Sequence, residues 1–97
     1  MKKNLCETLI IKETKSDGEN KYYYELIERI GETTADWRLP LYTVRVTMTG
    51  NSGPERCYEA KNLFSNKREA IEFFDMIVRN LATPIDLPYI LEDENVV

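Results

Sequence analysis

Near Asn66 the hydrophobic pattern of this chain changes its period from two to 3.6, a switch that restricts the fold to a sheet followed by helix. Ahead of the switch, Tyr42, Val44, Val46 and Met48 alternate with Thr43, Arg45, Thr47 and Thr49. That is the pattern of a strand with one face on a core and the other in water. Beyond it, Ala70, Ile71, Phe74, Ile77 and Val78 fall on one stripe of a helix over Asn66 to Arg79, with Lys67, Arg68, Glu72, Asp75 and Arg79 largely off it.

Three further strands are read on the sheet side of the switch. The first runs from about Leu5 to Thr14 and stops at Lys15-Ser16-Asp17-Gly18-Glu19-Asn20, where Asp-Gly supplies a hairpin turn because glycine accepts positive φ without steric cost. The second, Lys21 to Ile30, is expected to place Tyr22, Tyr24, Leu26 and Ile30 in the core and Tyr23, Glu25, Ile27 and Arg29 outside. A ten-residue connection around Trp37 then leads to Leu39-Pro40 and the alternating strand. After the Gly50 to Pro54 turn, Glu55 to about Leu63 forms a weaker strand whose charges suit an edge.

Ser65 or Asn66 is expected to cap the helix, with Asn80 as the left-handed residue that ends it and Leu81 folding back on Met76. Thr83 to Asp93 reads as one or two further helical turns, clamped by Ile85, Leu87, Ile90 and Leu91, with Pro88 tolerated only near the start. The order β-β-β-β-α-α implies an α+β fold, a four-stranded antiparallel meander packed on one face by an amphipathic helix and followed by a short C-terminal helix. A chain of 97 residues has room for one such domain, 1–97, with ends expected to fray at about 1–3 and 94–97.

Composition narrows the chemistry. Histidine is absent and no Ser, Cys or Lys lies in a nucleophile motif, so catalytic residues are not expected and the reading is of a protein that is not an enzyme. Cys6 and Cys57 alone cannot complete a zinc site, and Gly50-Asn51-Ser52-Gly53 precedes a strand rather than a helix. No metal and no cofactor are therefore expected. A net charge of -4 argues against nucleic acid, which would require Arg29, Arg45 and Arg56 to gather in one patch. Apolar runs of about three residues argue against a membrane span. Two cysteines in a chain with no apolar leader read as small, semi-buried thiols in a cytoplasmic protein.

The segment Leu63-Phe64-Ser65-Asn66-Lys67-Arg68-Glu69-Ala70, then Leu81-Ala82-Thr83-Pro84-Ile85-Asp86-Leu87 and Ile90-Leu91-Glu92-Asp93, together with Tyr42-x-Val44-x-Val46, resembles a family of small proteins of clostridia and related Firmicutes. The resemblance is strongest over residues 63–93. The connection around Trp37 and Pro88 depart from the family's pattern. The family is a domain of unknown function, so the resemblance implies a bacterial, cytoplasmic setting and carries no mechanism.

What is left is a surface. Tyr23, Arg29 and Arg45 share the outer face of the expected sheet, and an aromatic ring beside guanidinium groups is a combination enriched in protein interfaces. Trp37 and Arg38 either plug the end of the sheet or form an exposed anchor. These five residues are the candidate interaction surface, for a protein partner or a homodimer. The alternative is a small-ligand-binding regulatory domain using the sheet and the Trp37 loop.

Overall fold

The computed structural model describes residues 5–31, 40–50 and 53–93. Its elements are β1 (Leu5–Asp17), β2 (Asn20–Gly31), β3 (Leu41–Thr49), β4 (Arg56–Phe64), α1 (Lys67–Arg79) and α2 (Leu87–Asp93). The strands form one antiparallel sheet in the order β1-β2-β3-β4, the meander expected from short connections. The residues assigned to frayed ends, 1–3 and 94–97, lie outside the described residues, as do Trp37 and Arg38.

β1 runs three residues past the expected end at Thr14, because only Gly18 and Glu19 separate Asp17 from its partner Asn20. Gly18 has φ 63 and Glu19 is not left-handed, the type II′ arrangement that matches the twist of two paired strands. Between Leu9, opposite Ile27, and Ile11, opposite Leu26, Ile10 is an extra residue. This bulge lets the consecutive Ile10 and Ile11 both pack against the core.

The core lies between one face of the sheet and the two helices. Tyr24, Leu26, Val44, Val46, Phe74, Ile77 and Leu87 are fully buried there, with Tyr22, Tyr42, Ala60, Ala70, Phe73, Val78, Ala82 and Leu91 around them. The inward set on β2 and β3 is as alternation requires, with one exception. Ile30, expected in the core, is exposed, since it lies beyond Arg29–Leu41, the last pair between β2 and β3.

Asn66 caps α1, its side-chain oxygen accepting the Glu69 N–H at 3.0 Å. The exit differs from expectation. Asn80 has φ -93, and Leu81, one residue later, carries the positive φ of 51. Leu81 N–H donates to Val78 O and Ala82 N–H to Ile77 O, the paired bonds of a Schellman ending. The buried Tyr24 hydroxyl then donates to Ala82 O at 2.8 Å, tying β2 to the end of α1.

Before α2, Asp86 N–H donates to Thr83 Oγ1 and Thr83 N–H to Asp86 Oδ2, a reciprocal cap with Pro84 at the first position, where a missing N–H costs nothing. Leu87 and Leu91 clamp α2 to the core and Ile90 is half-buried. Ile85, expected to join them, is 55% exposed.

Candidate interaction surface

The outer face of the sheet is built from rows of side chains fixed by strand register. One row is Thr14, Tyr23, Thr47 and Cys57, running from β1 to β4. A second is Lys12, Glu25, Arg45 and Glu59. A third places Glu7 opposite Arg29. Both helices lie on the opposite side, so among the described residues no helix or strand covers these rows.

Register brings Arg29 and Arg45 together, as expected, but through carboxylates. Arg45 hydrogen-bonds Glu25 Oε1 and Glu59 Oε2, each at 3.0 Å. Arg29 Nε lies 2.8 Å from Glu7 Oε2, without the alignment of a hydrogen bond, and its Nη2 lies 3.7 Å from Glu59 Oε2. Glu59 therefore bridges the two guanidiniums, and its hydrogen bond to Arg45 holds that group still more firmly in the charged form. The resulting ladder, Glu7-Arg29-Glu59-Arg45-Glu25, spans all four strands and has one more acid than base. It is a tie across the sheet, with its positive charge already matched.

Arg56 is elsewhere. It pairs with Met48, on the helix-bearing face, so Arg29, Arg45 and Arg56 do not form one patch. Tyr23 is half-buried between Thr14 and Thr47, and is the ring that the outer face presents.

Two outer residues are more deeply placed than a solvated face requires. Ile27 is 6% exposed and Thr43 is 0% exposed. They pair with each other, with Leu9 beyond Ile27 on β1. Thr43 is satisfied by a second irregularity, because Lys61, Asn62 and Leu63 together span its single position between the pairs Tyr42–Phe64 and Val44–Ala60. Asn62 adopts φ 54 there and its N–H donates to Thr43 Oγ1 at 3.0 Å.

The remaining candidates separate. Cys57, expected semi-buried, is exposed and free, on the edge strand opposite to that of Cys6. A cleft of about 480 Å³ lies on the other face, between β1 and α1, lined by Glu13, Lys15, Glu72, Asp75, Val78 and Arg79. Its lining is almost entirely charged, unlike the mostly apolar walls of small-molecule sites. Leu9, Ile85 and Tyr89 are exposed, Ile85 in the turn that precedes α2 and Tyr89 on α2 itself. No periodic signal distinguished them from core residues. Among the described residues, no helix is long and apolar enough to cross a membrane, and no three His, Cys, Asp or Glu residues gather as metal ligands.

Comparison with known proteins returns no match among curated proteins and none among solved structures. Residues 3–94 match a family of unknown function (DUF6514), which takes in both the strands and the helices and extends well beyond the 63–93 segment. The chain belongs to this family of unknown function.

Proposed function

We propose that the protein is a non-enzymatic, bacterial, cytoplasmic interaction module that recognises another protein through the outer face of its sheet. The observation that carries this reading is the asymmetry of the sheet: one face is sealed by α1 and α2, while the other presents Tyr23 and Leu9 on a frame tied by the ionic ladder. Rigid aromatic and aliphatic groups within a polar surround are the usual composition of a protein contact. The resemblance of residues 63–93 to proteins of clostridia and related Firmicutes supports the bacterial and cytoplasmic part of the proposal.

Tyr23, Trp37 and Arg38 are the side chains to test. Arg29 and Arg45 serve the ladder first, so their substitution would disturb the sheet as well as the surface. Replacing Tyr23, Trp37 and Arg38 together by alanine should weaken capture of the partner from the native host by a variant that still unfolds cooperatively. A triple variant that captures the same proteins at the same yield would remove this face from consideration.

A further inference from the structure

The proposed interaction role leaves open who the first partner is, and the exposed edge of β1 bears on that question. β1 is thirteen residues long and, among the described residues, is paired on one side only, with β2. From Lys12 to Glu19 every residue is exposed. A long unpaired edge is ordinarily blunted, because its free N–H and C=O groups template pairing with another chain.

Which groups are free follows from the hairpin. Asp17 and Asn20 flank the two-residue turn and so form a hydrogen-bonded pair. Alternation back along the strand makes Lys15 and Glu13 hydrogen-bonded to β2 as well. Ser16, Thr14 and Lys12 therefore direct their N–H and C=O groups outward to the open edge. The bulge at Ile10 lies beyond this stretch and leaves its parity intact.

We propose that β1 pairs antiparallel with β1 of a second copy about a twofold axis at Thr14, joining two sheets into one of eight strands. In this register Thr14 faces Thr14, and Lys12 faces Ser16 in both directions. All are outward-directed residues, so they form about six inter-chain hydrogen bonds, two for each hydrogen-bonded pair. Glu13 then faces Lys15 of the second copy, and Lys15 faces its Glu13, at non-hydrogen-bonded positions where side chains approach most closely.

The charge sequence selects this register against its neighbours. An axis at Glu13 or Lys15 would set identical charges face to face at a non-hydrogen-bonded position, where side chains approach most closely. An axis at Lys12 opposes two lysines. An axis at Ser16 would run the pairing into the turn at Gly18 and Glu19. The cleft between β1 and α1 also leaves room on the helix-bearing face, since α1 packs over β2, β3 and β4 and stands off from β1. On the outer face, Tyr23 adjoins Thr14, so the axis sets the two Tyr23 rings on either side of the Thr14 pair.

This inference deepens the proposed interaction role and names its first partner as the chain itself. Sedimentation of the full chain over a concentration series should show a reversible dimer. E13K or K15E alone makes both facing pairs like-charged and should weaken the dimer by about tenfold or more. The double variant E13K/K15E restores opposite charges and should restore the dimer, as should an equimolar mixture of the two single variants. A monomer at every concentration, or single variants that dimerise like the parent, would overturn the proposal, as would a double variant that fails to recover.

Cross-linking gives an arm independent of charge. With Cys6 and Cys57 replaced by serine, T14C should oxidise to a covalent dimer, because facing residues at a hydrogen-bonded position lie about 5.5 Å apart at Cα, within disulfide reach. S16C should not, since Ser16 faces Lys12. Equal cross-linking of the two would also overturn the register. If these β1 variants leave association untouched while Tyr23→Ala abolishes it, the outer-face reading survives and β1 pairing does not.

Discussion

The two faces of this sheet are held by different physics. The helix-bearing face is bound by burial, with Tyr24, Leu26, Val44, Val46 and Phe74 all at 0% exposure. The outer face is bound by charges at 17–42% side-chain exposure, arranged as the ladder from Glu7 to Glu25. Burial of apolar area is indifferent to moderate salt, whereas partly exposed ion pairs are screened. The difference teaches that a single antiparallel sheet can have one face committed to folding while the other is kept polar and ordered.

The largest effect belongs to the sealed face. Phe74→Ala should cost about 3–5 kcal/mol, because the ring is removed from a fully enclosed site that can collapse only in part. Denaturant titration would check it, and a loss as small as that of an outer-face variant would break the contrast. Thr43→Val should cost about 1 kcal/mol despite the near-identical shape, because the bond from the Asn62 N–H to the buried Thr43 hydroxyl is lost. Equal stability of that variant would mean that water replaces the hydroxyl as partner of the exposed Asn62.

Tyr24→Phe should cost about 1 kcal/mol through the lost bond to Ala82 O. Burial, with smaller contributions from Tyr22 and Asp86, pushes the Tyr24 hydroxyl up to about 12. A group whose folded pKa is raised favours the fold while the unfolded tyrosine is still protonated, so this stability is intact below about pH 10 and is lost as pH rises towards 12. Alkaline melts of the Phe variant should fall less steeply than those of the parent, and parallel curves would show that Tyr24 does not govern the slope.

Glu59→Gln should cost under about 1 kcal/mol at low salt, since it removes the carboxylate shared by two partly exposed arginines. The difference from the parent should shrink as salt is added, whereas that of Phe74→Ala should not. The smallest change has the opposite sign. Leu81→Gly should stabilise by about 0.5 kcal/mol, relief of the left-handed strain slightly exceeding the entropy that glycine adds to the unfolded chain. A destabilised variant would show that the half-exposed Leu81 side chain contributes more packing than its position indicates.

Much of this architecture was legible because long elements carry periodic signals. Alternation from Tyr42 to Met48 identified β3 and its inward face, and the 3.6-residue stripe located α1 within a residue of each end. The cap was narrowed to Ser65 or Asn66 for the same reason, being local chemistry at a fixed offset, and the structure places it at Asn66. Thr83 to Asp93 was read as one or two helical turns, and the reciprocal Thr83–Asp86 cap ahead of α2 came only from the structure.

What escaped the sequence were places where the period breaks. Leu9-Ile10-Ile11 is an unbroken apolar run, so nothing in it marks the bulge. Asn62 in a left-handed conformation and Thr43 beneath it depend on pairing between residues 19 positions apart. The exit from α1 was misplaced by one residue because asparagine tolerates positive φ better than leucine, yet the hydrogen bonds of the ending place Leu81 there. For the candidate surface, alternation put Tyr23, Arg29 and Arg45 on one face. It could not show that Glu7, Glu25 and Glu59 would engage both arginines, since that requires the register of four strands at once.

The bulge at Ile10 also bears on how the length of this strand can vary. Elsewhere in β1, removing or adding one residue would turn over every side chain on one side of the change, sending Thr14 inward or Glu7 away from Arg29. At Ile10 the strand already holds a surplus residue, and its deletion leaves Leu9 opposite Ile27 and Ile11 opposite Leu26. The bulge is thus a splice point, at which a chain one residue shorter keeps every other partner in place and gives up a single half-buried isoleucine.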